Sequence, residues 1–339
     1  MQNIEAFKEN LAHAKKVAIL THPKPDADAL GSSLGLAGFL QKLGKETMVI
    51  SPTDYPEFLN WLPGNENVRV FNKKNENMIL ETLQVADMIF CLDFSRLNRI
   101  FELGEKVRTS PSIIVHIDHH LEPEDFSHFS KLDVKAASTA ELVFELIREM
   151  EMTDKIDASI AECLYAGLMT DTGGFRHANT NKKVFQVAGE LVDLGANPYK
   201  VSKLIYENNA LERLRLTGYV LMDKLQIFPE FRTAIVCLSQ QDLKKFKSQT
   251  GDTEGLVNFG LSVKEIRLSI LIQEKKDQIK LSFRSLGDFS VNDFAKNHFE
   301  GGGHKNAAGG QSKISLEKTL EKVLTLLPQY QQDLQNYNA

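Results

Sequence analysis

No stretch of this sequence stays apolar for the roughly 18 residues that a membrane helix needs, so no span is expected. The opening MQNIEAFKENLAHAKK lacks the apolar core of a signal peptide, which points to a cytoplasmic rather than a secreted protein. Cysteine is scarce. Cys91, Cys163 and Cys237 lie far apart inside apolar runs, a pattern of buried free thiols in a reducing compartment that excludes a disulfide frame or a zinc knuckle. A basic surplus is also missing, with 40 Lys and Arg against 45 Asp and Glu. Proteins that track long DNA or RNA neutralise many phosphates, so this balance argues against such a track. It leaves room for a small phosphorylated ligand held by a few local cations. Internal repeats and low-complexity tails are absent too.

What is present is enough chain for two cores: 339 residues exceed one ordinary domain. Apolar runs of strand type (VAILTH 17–22, KETMVIS 45–51, ADMIFCLDFS 86–95, SPSIIVHIDHH 110–120) alternate with helical patterns such as STAELVFELIREM 138–150. That alternation predicts an α/β fold with a mainly parallel sheet. A helix is expected over 32–44, stopped at Gly44, and another over 158–175 that breaks at Gly173 and Gly174. Residues 196–225 read as a helical linker. They separate a first domain, 1–195, from a smaller mixed α/β domain, 226–339, that restarts with FRTAIVCLS and DQIKLSFRS.

In open parallel sheets, ligands bind beyond the carboxyl ends of the strands. The residues expected at those ends are chemically uniform. THPKPDADALGSS supplies His22, Asp26 and Asp28; the 86–95 run supplies Asp93; the 110–120 run supplies Asp118, His119 and His120; and Asp171 precedes the double glycine. Any one Asp after a strand is ordinarily a turn residue or helix cap. Together, acids and imidazoles crowding one cleft would repel one another unless cations neutralised them. His22, Asp26, Asp28, Asp93, His119 and Asp171 exceed one tetrahedral site and suit two divalent metals sharing a carboxylate. Oxygen and imidazole donors without thiolate favour Mn²⁺, with Mg²⁺, Co²⁺ or Zn²⁺ as the other candidates. His13, His128 and His298 read as surface or structural residues, His116 as a core residue or a support behind the metal ligands, and His177 as a neighbour of the cleft.

EGGGHKNAAGGQ (300–311) is the second dense signal. Gly301, Gly302 and Gly303 permit close backbone approach, and their amides could cradle an anion at the start of a small-residue helix over NAAGG. His304 and Lys305 would add donors, and Arg284 in the preceding strand is a bidentate phosphate clamp by type. No GK[ST] follows, so this is not a Walker loop.

HPKPDADALGSS, CLDFS, IDHH and LMTDTGGF, in this order, resemble the four motifs of the DHH phosphoesterases. SFRS followed by GGGHKNAAGG resembles the DHH-associated C-terminal domain. Together they span about residues 15–310. The likeness is to the bifunctional oligoribonuclease and pAp phosphatase type, where pAp is 3′-phosphoadenosine 5′-phosphate. It implies an active site in the cleft between the two domains, with His22, Asp26 and Asp93 on one metal. Asp28, Asp93, His119 and Asp171 would hold the other, and Asp93 would bridge. Asp118 would orient a ligand histidine, and His120 would face the scissile phosphate or leaving group. Arg284 and His304 would bind the far end of a short oligonucleotide or small nucleotide. A homodimer is implied as well. Ala27 stands where the first motif usually carries glycine, a small change that leaves the metal set intact. The same architecture also serves cyclic di-AMP and pApA hydrolysis, which the sequence does not separate from short-RNA hydrolysis. A catalytically inactive nucleotide-binding regulator would be expected to have lost one of Asp28, Asp93 or Asp171. A dinucleotide-cofactor binder would need GxGxxG, which GSSLGLAG is not.

Overall fold

The computed structural model describes residue 1 and residues 3–336, and the chain divides into two units between Asn208 and Asn209. The first unit carries six strands: β1 (Lys16–Leu20), β2 (Glu46–Ser51), β3 (Val68–Val70), β4 (Met88–Leu92), β5 (Ile113–Asp118) and β6 (Phe129–Leu132). All pair in parallel, in the order β3-β2-β1-β4-β5-β6. A parallel sheet covered on both faces needs apolar residues at both parities, and β4 (MIFCL) is buried at every position. Alternation then sorts the side chains. Val17, Ile19, Phe90 and Leu92 join helices Ala27–Lys42, Thr139–Glu149 and Ala158–Asp171 on one face. Ala18, Leu20, Ile89 and Cys91 meet helices Glu76–Val85 and Glu102–Arg108 on the other.

Strand order reverses between β1 and β4. From there the chain winds outward through β2 and β3 on one side and through β5 and β6 on the other. That switch point opens a crevice at the carboxyl ends of the central strands. The helix expected from residue 32 begins at Ala27 instead, because Asp26 caps it, accepting hydrogen bonds from the amides of Asp28 and Ala29. Asp28 therefore sits in the helix's first turn.

The second unit has its own sheet: β7 (Leu225–Phe228), β8 (Thr233–Leu238), β9 (Leu268–Glu274), β10 (Ile279–Ser285), β11 (Gly302–His304) and β12 (Ala307–Ser312). The order is β11-β12-β10-β9-β8-β7, with only β8 and β9 parallel. Phe283, Phe294 and Phe299 fill one face, and Leu216 and Val220 pack with Val236 and Leu271 on the other. The 196–225 stretch is shared out. Helix Pro198–Tyr206 buries Val201 and Ile205 in the first unit's core, while helix Leu211–Tyr219 and the π turn Val220–Lys224 belong to the second unit.

The small-residue helix expected over NAAGG is not formed. Residues 302–312 make a β-hairpin at the sheet edge. Strands 11 and 12 lie so close that a Cβ at Gly301 would collide with the carbonyl oxygen of Gly309. Glycine here serves strand-to-strand approach. Among the described residues, no helix is long and apolar enough to cross a membrane.

Candidate metal centre

The crevice at the switch point collects what the first unit's strands deliver. His22 follows β1, Asp93 follows β4 directly, and Asp118, the last residue of β5, is followed by His119 and His120. Asp93 turns the chain with a left-handed backbone, φ 65°, a conformation Asp tolerates better than most residues. Asp171 arrives from elsewhere, as the last residue of helix Ala158–Asp171, which packs beside helix Ala27–Lys42. Gly167 in that helix is needed for the fit, since a Cβ there would stand 2.6 Å from Asp28 Oδ1.

Asp93 occupies the middle. Its Oδ2 lies 3.4 Å from His22 Nε2, and its Oδ1 lies 3.4 Å from His119 Nε2. His119 Nε2 is also 3.3 Å from Asp171 Oδ2 and 3.9 Å from Asp28 Oδ2, while His22 Nε2 is 3.9 Å from Asp26 Oδ1. Groups able to hold a cation include Asp93 with Asp118 and His120, and also two that flank Asp93: His22 with Asp26 and Asp93, and Asp28 with His119 and Asp171. Asp93 presents one oxygen to each of the latter two. All six residues singled out from the sequence as metal ligands are therefore brought together.

Both imidazoles are oriented by backbone carbonyls. His22 Nδ1 lies 2.9 Å from the Pro23 oxygen and His119 Nδ1 lies 3.3 Å from that of Ala136. A proton on each Nδ1 satisfies these contacts and leaves the Nε2 lone pairs facing the carboxylates, as metal-binding histidines require. Helix Thr139–Glu149 supplies the rest. Its first amides, Thr139 and Ala140, donate to the two oxygens of Asp28 at 2.7 and 2.9 Å, and the Thr139 hydroxyl donates to Asp93 Oδ1 at 2.8 Å. The positive end of the helix thus faces buried carboxylates. Thr139 was not foreseen. Ser-Thr-Ala-Glu at 138–141 signals a helix start, but nothing local says what the start points at.

The charges in the centre are strongly interdependent. Burial works against a charged His22, but Asp93 and Asp26 prevail and push it up to about 9. His119 is likewise raised well above an ordinary histidine, against burial, by Asp93 and Asp171. Burial would raise Asp93, yet the His119 and His22 imidazoles hold it well below the usual carboxylate range. Asp171 is pushed up to about 7 by burial, which outweighs the attraction of His119 and is reinforced by Asp26 and Asp93. Asp28 rises through burial and the repulsion of Asp93 and Asp171. The cluster is a store of protons that a cation would displace. Oxygen and imidazole donors in this number fit divalent ions.

His120 is held differently. Its Nδ1 is 2.7 Å from Asp118 Oδ1, so the hydrogen-bonded partner of Asp118 is His120 and not His119. Asp118 is buried, and its Oδ2 has no hydrogen-bond partner among the described residues; His116 Nε2, 3.9 Å away, donates to the Phe94 carbonyl instead. The other histidines are structural: His128 accepts from the Ile114 amide, His298 meets the Tyr330 hydroxyl, and His13 the Glu9 carbonyl. The His177 ring packs over Gly173. Cys91 and Cys163 are buried thiols whose pKa burial raises.

In the second unit, Arg284 and His304 fall on one rung of the sheet. Both pair in register with Ala307, Arg284 from β10 and His304 from β11. Residues on one rung share a face, so the two side chains flank the Ala307 methyl, about 10 Å apart at two strand spacings. The glycine amides do not form the expected anion cradle. Gly301 N–H goes to the Ala295 carbonyl and Gly303 N–H to Asn292 Oδ1, so helix Val291–His298 takes both.

Known proteins agree with this division. The model of the DHH family's N-terminal domain matches residues 16–168, and that of the DHHA1 domain matches residues 234–332. A bifunctional oligoribonuclease and PAP phosphatase NrnA from Thermus thermophilus is 31% identical over 91% of this chain and 88% of its own. Its Bacillus subtilis namesake is 29% identical over 85% of this chain and 86% of its own. A cyclic-di-AMP phosphodiesterase GdpP from B. subtilis is 28% identical over 96% of this chain but 49% of its own. Among solved structures, an exopolyphosphatase-related protein from Bacteroides fragilis superposes with a TM-score of 0.94 at 37% identity, covering 98% of this chain and 97% of that one. An exonuclease RecJ bound to manganese shares the fold, with a TM-score of 0.51 at 16% identity over 96% of this chain and 93% of its own. Two matched domains in sequence order, and a relative alike over nearly its whole length, establish that this chain belongs to the DHH family, with a DHHA1 domain following the DHH domain.

Proposed function

We propose that this chain is a cytoplasmic, two-metal phosphohydrolase that releases mononucleotides from very short RNAs and removes the 3′-phosphate of pAp. One observation carries the reading: the two oxygens of Asp93 each face a different imidazole Nε2 at 3.4 Å, as a carboxylate shared between two cations requires. His22, Asp26 and Asp93 would hold one ion. Asp28, Asp93, His119 and Asp171 would hold the other, and Mn²⁺ suits this donor set. Bound there, the pair supplies Lewis acidity, activating water and neutralising phosphoryl oxygens. The names of the NrnA relatives support the substrate class.

The protein's own groups do the rest. Asp28 and Asp93 are fixed by Thr139 and Ala140 before any substrate arrives, so no reorganisation is needed as charge develops. Asp118 holds His120 by Nδ1, leaving Nε2 as the ring atom that delivers a proton to the departing oxygen. Arg284 and His304, beside the side-chain-free strip of Gly301, Gly302 and Gly303, take the far nucleotide or its phosphate. Short substrates are then preferred because both ends must be held.

A second reading, hydrolysis of cyclic di-AMP, is favoured by the GdpP relatives, although this chain spans only about half their length. A substrate panel in Mn²⁺ separates the two: pAp, 5′-phosphorylated RNA of two to five or about twenty nucleotides, cyclic di-AMP, and polyphosphate. Fast AMP release from pAp and the shortest RNAs, absent in Asp93→Ala, supports the proposal. Preference for cyclic di-AMP replaces it with the second reading.

A further inference from the structure

We propose that Arg176 is a further substrate-binding residue of this centre, gripping a non-bridging oxygen of the phosphate under attack. The inference rests on the phosphohydrolase reading and begins with backbone strain. Directly after Asp171 and Thr172, three consecutive residues take positive φ: Gly173 at 59°, Gly174 at 69° and Phe175 at 64°. Glycine adopts this conformation freely, but a bulky aromatic residue there is an outlier. Strain of this kind persists where surrounding contacts over-determine it, and such residues gather at functional sites.

Here the contacts can be named. Buried Thr172 is the hub: its carbonyl accepts from the amides of Arg176 at 2.8 Å and His177 at 2.9 Å, and its hydroxyl accepts from the Phe175 amide at 3.2 Å. The left-handed turn folds the chain back, and Arg176 Nε closes it by donating to the Gly173 carbonyl at 2.7 Å. That bond holds the guanidinium in place by one edge. The remaining nitrogens of Arg176 meet no carboxylate within ion-pair distance among the described residues, although Asp171 is five positions away. An oriented guanidinium edge of this kind matches two oxygens of a phosphate.

Tyr206 shares the spot. Its hydroxyl would lie 3.7 Å, and Arg176 Nε 3.9 Å, from a Cβ on Gly174, so the two side chains converge over a residue that puts nothing between them. Burial raises the phenol's pKa; Asp171 acts in the same direction and Arg176 against it, as expected of groups in one neighbourhood. Arg176 is exposed, while Phe175 packs with Tyr165 and Phe185 against the first unit's core, which fixes the turn that presents the guanidinium.

The test compares wild type with Arg176→Ala and Arg176→Lys, all loaded with Mn²⁺. Hydrolysis is followed on pAp and on bis(p-nitrophenyl) phosphate, and binding of inorganic phosphate by calorimetry. The Ala variant is expected to lose about 100-fold in kcat/KM on every ester cleaved, as when one preorganised donor to a developing charge is removed. Its phosphate affinity should fall about tenfold, with Mn²⁺ affinity and Tm unchanged. Lys should recover little, because it cannot hold the Gly173 carbonyl and present a second edge together. Added guanidinium ion should restore part of the Ala variant's rate. An Ala variant whose phosphate affinity and kcat/KM both stay within about threefold of wild type overturns the proposal, as does a loss matched by weaker Mn²⁺ binding. The substrate reading fails separately, when wild type cleaves the generic diester but not pAp or short RNA. The Arg176 comparison can still be made on that diester and on phosphate.

Discussion

The two sheets of this molecule put chemistry in place by opposite means. The first is wholly parallel, and its strand order reverses between β1 and β4, so loops leaving the carboxyl ends diverge and leave their first side chains facing one another. Position there comes from side chains: His22, Asp93, Asp118 and His119 all follow or end a strand. The second sheet is mostly antiparallel and ends in a glycine hairpin. Its candidate residues, Arg284 on β10 and His304 on the edge strand β11, fall on one rung, and their spacing comes from strand geometry. The first sheet concentrates charge at a point. The second spreads two donors across a nearly side-chain-free strip, as suits reach along a substrate.

If that contrast is right, damage to the first unit should abolish chemistry while damage to the second should alter selection. The largest effect belongs to Asp93→Ala. Removing the carboxylate that faces both imidazoles should cost at least about 10³-fold in kcat on pAp and on a generic phosphodiester alike, since metal-centred charge stabilisation serves both. Steady-state hydrolysis of the two substrates checks this. A loss confined to pAp would move Asp93 from chemistry to recognition.

Thr139→Val should come next. The hydroxyl leaves Asp93 Oδ1 while the amide bond to Asp28 remains. Outer partners of metal ligands are typically worth about 10- to 100-fold in metal affinity, and calorimetric Mn²⁺ titration reads that directly. Unchanged affinity would mean that the helix holds Asp93 through packing alone.

Thr139 also marks where sequence reading stops. His22, Asp26, Asp28, Asp93, His119 and Asp171 were legible because each ends or follows an apolar run, a local fact. The carbonyls of Pro23 and Ala136 and the start of helix Thr139–Glu149 were not, because backbone groups carry no residue-type signal and the Thr139 contact to Asp28 spans 111 residues. Strands β3 and β6, three and four residues long, are too short for a period to show. Small residues such as NAAGG suit close helix packing, but they suit close strands equally well. The close approach of Gly301 to the Gly309 carbonyl decides between them only once the hairpin is formed. Asp118 shows the limit of carrying roles over by motif: its carboxylate turned out to hold the second histidine of the pair.

The second unit's side of the contrast is tested on its shared rung. Arg284→Ala should raise KM for dinucleotide and trinucleotide RNA about tenfold while leaving kcat on a generic phosphodiester within about threefold, because a contact made equally in ground and transition states contributes binding rather than chemistry. Ala307→Leu should act in the same direction by filling the gap between Arg284 and His304, both of which pair with Ala307. Equal losses on both substrates would make the second unit part of the chemistry and dissolve the distinction.

The smallest effect, a few degrees, concerns how pH divides the two units. In protein without metal, the raised His22 favours folding below its ordinary 6.5, and that contribution is lost as pH climbs through about 9. Asp171, raised from 3.8 to about 7, favours the fold while protonated and opposes it increasingly until pH passes about 7. Asp171 therefore weakens the metal-free first unit as pH rises from about 4 to 7, and His22 as it rises from about 6.5 to 9. A bound cation requires both groups deprotonated, so its affinity, and with it the stabilisation it adds, rises over the same range. The Tm increment on adding Mn²⁺ should grow from pH 6 to pH 8.5 in wild type and hardly respond to pH in Asp93→Ala. Both histidines owe their raised pKa first to that carboxylate, so a variant without it that kept the full pH response would place the proton store elsewhere in the chain.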